Sequence, residues 1–298
     1  MTGIRSIERF EYRVPGSLDE ALDMLKTNGT SARILAGGTD LILQMKQGQV
    51  RPSLVVDVKK LPELNRLEWS ESGGLHVGAA VSLNRLLTVD AVLERYSILV
   101  QACSVIGSQQ IRNRGTIGGN ICNAAPSADS VPALLCLGAR AVLISSSGTR
   151  MIDLNDFFTA PGETAIGDDE LLVEIEVPTP TTPSAGCYMR HTTREEMDIA
   201  VAGVGSFLTI SPQDKKLKEA RIALGAVAPT PIRAHKAEAF LIGKSVTRDI
   251  IEEAAGQAAA EAEPISDLRG SAAYRREMVK VLTWRTLNAS CEELGLEV

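Results

Sequence analysis

Two short stretches carry the residue types that can do chemistry. "AGGTDL", residues 36–41, and "GTIGGN", residues 115–120, each join glycines to a threonine and to an aspartate or asparagine. Glycine lets the backbone approach a ligand with no Cβ in the way, and it reaches positive φ without strain. Successive amide N–H groups in such a turn can point inward as an anion-binding nest. Thr39 and Thr116 add hydroxyl donors. Two turns of this kind can grip the two halves of a pyrophosphate with neither a helix dipole nor a lysine. A single Gly-Gly-Thr is usually only a turn; the second copy makes the phosphate reading worth pursuing. Arg112 and Arg114, which lead into the second turn, read as solvated or partner-facing charge and are left out of the site.

Such turns need rigid elements to hold them. Ser17 followed by Glu20 is a capping box, opening a helix through Leu22 and Leu25 that should stop near Asn28-Gly29. "ARILAGGTDL" (32–41) is a buried strand running into the first turn. "SLVVDV" (53–58) and "GLHVGAAV" (74–81) are further strands. "LNRLL" starts a helix after Ser82, and "AVLERYSILVQACSVIG" (91–107) is helical up to the second turn's approach. "ALLCLGARAVLIS" (133–145) reads as helix then strand, with the break at Gly138. In "EVPTPTTPSAG" (176–186) the prolines leave no room for a regular element, which marks a linker and a domain boundary. Beyond it, strands over 201–210 and 219–234 precede helices over 248–263 and 271–294. Strands followed by helices predict an α+β C-terminal domain.

The bulk numbers exclude several function classes. The chain has 298 residues and a net charge of −6 with no basic block, which argues against nucleic-acid binding. Its apolar runs are too short to span a bilayer. Met1 to Arg13 carries charges where a signal peptide has its apolar core, so a cytoplasmic location is expected. The five cysteines form no C-x-x-C, and the three histidines are far apart. Reduced thiols, no iron–sulfur cluster and no metal ion in this chain are therefore expected. There is no G-x-G-x-x-G, so a Rossmann site has no support. "EAFLIGKS" (238–245) misses a P-loop because Glu238 stands where the first glycine should be; a helix ending at Gly243 is preferred.

At the glycine turns the sequence resembles a known family. "ILAGGTDLILQMKQGQVRPSLVVDVKKLPEL" (34–64), "IGSQQIRNRGTIGGNICNAAPSADSVPALL" (106–135) and "YMRHTTREEMDIA" (188–200) are similar, in order, to the FAD-binding medium subunit of molybdenum hydroxylases, the xanthine dehydrogenase and carbon monoxide dehydrogenase relatives. The resemblance implies an α+β fold: a FAD-binding domain of the vanillyl-alcohol oxidase or PCMH type over 1–178, built from two α+β subdomains (about 1–58 and 59–178). A small α+β C-terminal domain would cover 185–298. FAD would lie between the subdomains with its pyrophosphate between the two glycine turns.

By matched position the resemblance puts the first FAD loop on Ile34, Leu35, Ala36, Gly37, Gly38, Thr39, Asp40 and Leu41. It puts the second on Thr116, Ile117, Gly118, Gly119 and Asn120. Ile106 falls at a position near the isoalloxazine, although its type alone suggests ordinary core. Asp129 matches an acidic residue suited to the ligand's ribose or ribityl hydroxyls; otherwise it is a helix N-cap before "SVPALL". Leu171 and Leu172 match residues that flank the flavin ring, while composition alone makes them strand core. Arg190 stands where many relatives have a lysine near the flavin. It keeps a cation but is planar and does not easily lose its proton.

The function implied is that of an electron-transfer subunit with no general base or nucleophile of its own. Substrate would be oxidised at a molybdenum–pterin centre on a large partner. Two [2Fe–2S] clusters on a small partner would carry electrons to FAD here, and an acceptor such as NAD or quinone would take them away. The assembly would be a heterotrimer or a dimer of heterotrimers. The alternatives are a self-sufficient flavin oxidase of the same fold and a flavin-free scaffold. The 4-hydroxybenzoyl-CoA reductase branch carries an extra cysteine-rich loop; only Cys122 and Cys136 follow the second turn here, which argues against that branch. Valine in place of Gly38 or of Gly119 is expected to abolish FAD retention with folding largely intact.

Overall fold

The computed structural model describes residues 7–297. Residues 1–6 and 298 lie outside it, and with them the start of the stretch read against a signal peptide and the extreme ends of the expected domains.

Alternating strands and helices build the first layer. β1 (Glu11–Arg13), α1 (Leu18–Asn28), β2 (Ala32–Leu35), α2 (Leu41–Gln47) and β3 (Leu54–Asp57) form a parallel three-stranded sheet in the order β1-β3-β2. Ser17 caps α1 by accepting from Glu20 N–H at 3.2 Å, and Gly29 ends the helix at φ +48°. Glu20 reaches back to Gly16 N–H at 2.7 Å, one residue earlier than a standard capping box places it. β2 delivers the chain directly into the first glycine turn, and α2 leaves it.

The second layer is an antiparallel five-stranded sheet in the order β4-β5-β10-β6-β7. Its strands are β4 (Leu67–Ser70), β5 (Gly74–Gly78), β6 (Arg140–Ser145), β7 (Gly148–Asp153) and β10 (Leu171–Val177); β8 (Phe158–Ala160) and β9 (Glu163–Thr164) make a separate hairpin. Between β5 and β6 run α3 (Leu83–Leu86), α4 (Asp90–Arg95), α5 (Ser97–Ser104), α6 (Gln109–Arg112), α7 (Ile117–Cys122) and α8 (Ser130–Leu137). The single helix expected over 91–107 is two, because Tyr96 takes a non-helical conformation (φ −125°, ψ 45°) with its side chain wholly buried. The linker is shorter than 176–186: Glu176 and Val177 pair with His76 and Leu75 before the first proline acts, and the next strand resumes at Ser184. Gly138 ends α8 in the left-handed region, as expected of a C-terminal glycine.

The third layer is an antiparallel meander of β11 (Ser184–His191), β12 (Ala202–Ile210), β13 (Leu217–Gly225) and β14 (Ile232–Arg233). It is followed by α9 (His235–Leu241), α10 (Arg248–Glu261) and α11 (Ala272–Glu293). Gly243, at φ +79°, follows α9, so the near-P-loop stretch is a helix ending. A core centred on Val204, Ile222, Leu224, Ile251 and Leu287 joins this sheet to its helices. Tyr188, Phe207 and Ala223 instead join the large core of the first two layers. No helix among the described residues is long and apolar enough to cross a membrane.

Candidate FAD site

The two glycine turns lie side by side, and their glycines explain how. A Cβ on Gly37 would come within 2.2 Å of Arg114 O and 2.8 Å of Gly115 Cα. Only a residue without a side chain lets the first turn press its backbone against the second. Gly38 has φ +74°, which an L side chain adopts only under strain. Among the described residues, the N–H groups of Gly37, Gly38, Thr39 and Asp40 have no hydrogen-bond partner in the protein. Unpaired consecutive amides are what an anion-binding nest requires.

The second turn is built differently from the first. Thr116 is the N-cap of α7, its hydroxyl accepting from Gly119 N–H at 2.9 Å, and Gly118 and Gly119 sit inside that helix. Gly119 N–H is therefore already committed. Gly118 serves packing, since a Cβ there would fall 2.6 Å from the Cβ and carbonyl oxygen of Ala79. Around Gly119, by contrast, an added Cβ would meet only the Thr116 hydroxyl, at 2.9 Å. The turn is anchored from below by Ile117 N–H donating to Val81 O at 3.2 Å and Leu83 N–H donating to Gly115 O at 2.9 Å. Gln44 on α2 donates to Asn123 at 3.0 Å, tying the helices that leave the two turns.

A cleft of about 360 Å3 opens over the first turn, lined by Gly37, Gly38, Thr39, Ile42, Leu43, Lys46 and Arg114. The sequence suggested a grip without a lysine and left both arginines outside; the cleft lining holds one lysine and one of the two arginines. Lys46 comes from the last turn of α2 and Arg114 from the residue before Gly115, and both line the cleft beside the unpaired amides. Sequence spacing hides this because Lys46 looks like any exposed helix cation. Arg112 is not a free surface charge either: its guanidinium donates to Ile106 O at 3.0 Å, and its Nε is buried.

The remaining matched residues fall in three places. Ile34 and Leu35 end β2, and Leu35 Cδ1 packs 2.8 Å from where a Gly38 Cβ would sit. Ala36 leads from that strand into the turn. Asp40 occupies the N-cap of α2 without a capping bond, and Leu41 is the first residue of that helix. Ile106 packs on the large core. Leu171 and Leu172 are buried at the start of β10, paired with Ile144 and Leu143. The next residue, Val173, accepts from Ala79 N–H at 2.8 Å, and Ala79 is the residue against which Gly118 packs.

Asp129 stands at the N-cap of α8 but makes no capping bond there. Its oxygens instead accept from Tyr188 Oη at 2.6 Å and Arg190 Nη1 at 2.7 Å. The N-cap alternative is thus set aside, and the carboxylate turns toward β11. Burial pushes the Asp129 carboxyl above its ordinary range, against the opposing pull of the Arg190 charge and the Tyr188 hydroxyl. Burial, together with the neighbouring Asp129 charge, also holds the Tyr188 phenol well above its usual value. Sequence reasoning named Asp129 and Arg190 but missed that Tyr188 joins them. The alternation of β11 was the available signal, because Tyr188 and Arg190 are two apart and share a face.

One cluster of metal-ligand types, His76, Glu174 and Glu176, has its ligand atoms within 4.8 Å of one another. Its donors are already engaged. His76 meets Glu174 at 2.6 Å, and Arg66 and Arg140 pair with Glu174 and Glu176 at 3.6 and 2.9 Å. Two guanidiniums beside these carboxylates oppose a divalent cation.

The layers and the paired turns define an α+β protein whose exposed nest and two cations fit a phosphate-bearing ligand. Residues 8–180 match the family described as the FAD binding domain in molybdopterin dehydrogenase, and residues 188–290 match the CO dehydrogenase flavoprotein C-terminal domain. The chain belongs to this family, the FAD-binding medium subunits of carbon monoxide and xanthine dehydrogenase-type oxidoreductases. It is 36% identical to the glyceraldehyde dehydrogenase medium chain of Sulfolobus acidocaldarius, over 93% of this chain and 96% of that one. It is 34% identical to the carbon monoxide dehydrogenase medium chain of Hydrogenophaga pseudoflava, over 95% of this chain and 97% of that one. Among solved structures, carbon monoxide dehydrogenase from Hydrogenophaga pseudoflava superposes with a TM-score of 0.93 at 34% identity, covering 97% of this chain and 99% of that one. Quinoline 2-oxidoreductase from Pseudomonas putida 86 superposes with a TM-score of 0.89 at 32% identity, covering 97% and 99%.

Proposed function

We propose that this chain is the electron-transfer subunit of a molybdenum hydroxylase, holding FAD between two glycine turns. The observation that carries the reading is the run of unpaired amides at Gly37 to Asp40, set against the second turn and flanked by Lys46 and Arg114. Each N–H to phosphate contact is a charge-assisted hydrogen bond worth about 1.5–3 kcal/mol. Ile34 to Leu41 form the first FAD loop and Thr116 to Asn120 the second, with Ile106, Asp129, Leu171, Leu172 and Arg190 around the ring and ribityl portion. The fold is of the vanillyl-alcohol oxidase or PCMH type, with the domain boundary in the proline stretch after Val177.

Bound FAD supplies the redox chemistry; the chain binds, orients and tunes it. Electrons reach this subunit from [2Fe–2S] clusters on a small partner, which the large molybdenum–pterin subunit feeds, and leave to an acceptor such as NAD or quinone. The assembly is a heterotrimer or a dimer of heterotrimers, in the cytoplasm. Relatives that match along nearly the whole chain are named for glyceraldehyde, carbon monoxide and xanthine. That spread fits a subunit that does not itself select the substrate.

The purified full chain is expected to show flavin absorption and to release one FAD on extraction, with no dehydrogenase turnover until partner chains are added. A colourless chain with no extractable FAD sinks the flavin reading. Substrate turnover by the isolated chain favours a self-sufficient oxidase instead. Charge reversal tests the cleft: Arg114→Glu and Lys46→Glu are each expected to raise the FAD Kd about 10- to 100-fold, which is roughly 1.4–2.8 kcal/mol. The wild-type affinity should weaken with added salt, because both cations are exposed and screened. Unchanged Kd values in both variants remove these cations from the site.

A further inference from the structure

The first two residues around the start of α8 face opposite ways. Asp129 turns to β11, where it holds Tyr188 and Arg190. Ser130 turns to the second glycine turn, where its hydroxyl donates to Asn120 Oδ1 at 2.6 Å. Ser130 is completely buried, and this is the one bond its side chain makes among the described residues. Asn120 lies in α7 and is half-buried.

The consequence follows from the chemistry of an amide. Asn has an acceptor oxygen at one end of its side chain and two N–H donors at the other. With Oδ1 held inward by Ser130, Nδ2 is turned away from α8. Among the described residues Nδ2 has no partner, and it is not a buried orphan. A free asparagine can offer either end to a ligand; this one offers donors only. A donor-only group matches the oxygens of a phosphate or of a ring carbonyl. It mismatches a group that needs to donate.

We propose that Ser130 is a positioning residue for FAD, fixing the Asn120 amide so that its Nδ2 donates to an oxygen of the dinucleotide. The inference rests on the reading of the second turn as a FAD loop, and the experiment separates the two. FAD binding to the deflavinated full chain is titrated by quenching of flavin fluorescence, and ADP is titrated as a competitor. Ser130→Ala is expected to raise the FAD Kd about tenfold. Ser130→Thr, which keeps the hydroxyl, should stay within about twofold of wild type. Asn120→Ala should raise the Kd at least as much as Ser130→Ala, and the double variant should bind no worse than Asn120→Ala alone, because the serine acts only through that amide.

Melting of the flavin-free variants supplies the second readout. A merely structural serine lowers the melting temperature of the flavin-free chain and leaves the Kd where it was, and that result overturns the proposal. Additive losses in the double variant also overturn it, since Ser130 would then act by another route. An unchanged Kd in Asn120→Ala overturns both this proposal and the reading of the second turn. A raised Kd in Asn120→Ala with normal binding by Ser130→Ala overturns the proposal alone. If Ser130→Ala weakens ADP and FAD alike, the acceptor is on the diphosphate; if only FAD is weakened, it is on the riboflavin half. Either pattern supports the positioning role.

Discussion

Gly119→Val is expected to abolish flavin retention while the flavin-free chain melts close to wild type. Apart from the helix's own backbone, the added Cβ has one protein neighbour within 4 Å, the Thr116 hydroxyl at 2.9 Å. Beyond that Cβ is where the reading places FAD. Crowding the Thr116 cap costs about 0.5–2 kcal/mol, and valine inside α7 adds no propensity cost, since glycine is the poorer helix former. Neither is enough to unfold a domain of this size. Extraction of flavin from the gel-filtered variant, together with its melting curve, makes the measurement. A normal flavin content would remove the second turn from the site.

The neighbouring glycines are poorer tests, and the structure says why. Gly118→Val would drive a side chain into Ala79, and Gly37→Val would drive one into the backbone of Arg114 and Gly115. Backbone does not yield cheaply, so either variant loses flavin and stability together. Gly38→Val, expected from sequence to spare the fold, instead forces a β-branched residue to φ +74° against Leu35. Its flavin loss would come mixed with strain of about 1–2 kcal/mol or more. Glycine types and their order were legible in the sequence; which glycine serves the ligand and which serves packing was not. That distinction depends on what lies opposite each missing Cβ, and Ala79 and Arg114 are distant in the chain from the glycines they meet or come from the other turn.

The same limit explains the other departures. Local signals carried well: the Ser17 cap, the Gly29 and Gly138 stops and the strand at 201–210 all depend on residues within a few positions. The break at Tyr96 was not visible, because "AVLERYSILVQACS" is continuously helix-compatible and only the burial of the ring decides it. Lys46 and Arg114 carry no sequence mark that separates a cleft cation from a solvated one. Ser130 was hidden for a different reason. In the sequence Asp129 stands as the cap candidate before α8, and only the third dimension shows the Ser130 hydroxyl reaching Asn120.

Arg190→Ala is expected to cost about 3–5 kcal/mol of stability near neutral pH, the usual penalty for leaving one member of a buried ion pair alone. The side chains of Arg190 and Asp129 are only 7% and 8% exposed, so water cannot take over the lost contact. The loss should depend on pH in a defined direction. Burial raises the Asp129 carboxyl, and the Arg190 charge is the largest influence pulling it back down. Removing that charge lifts it further. A carboxyl whose folded value lies above its unfolded value contributes stability that is fully present below the unfolded value, near 3.9. That contribution is lost as pH rises through the folded value. The deficit of Arg190→Ala relative to wild type should therefore be larger at about pH 8 than at about pH 5, where Asp129 can take up a proton and shed its unpaired charge. Denaturant unfolding at both values measures it. Equal deficits would mean that Asp129 does not carry the charge this arrangement assigns to it. Arg190→Lys should lose less, since a cation remains, but not nothing, because an ammonium on a flexible stem does not reproduce the guanidinium held beside Tyr188. The outcome bears on more than one residue. Asp129 opens α8 from the flavin-binding half, and Tyr188 and Arg190 sit on β11 of the C-terminal sheet. The pair is thus a buried polar rivet between the two halves of the chain, and a stability loss confined to high pH would show that the rivet is electrostatic rather than a matter of packing.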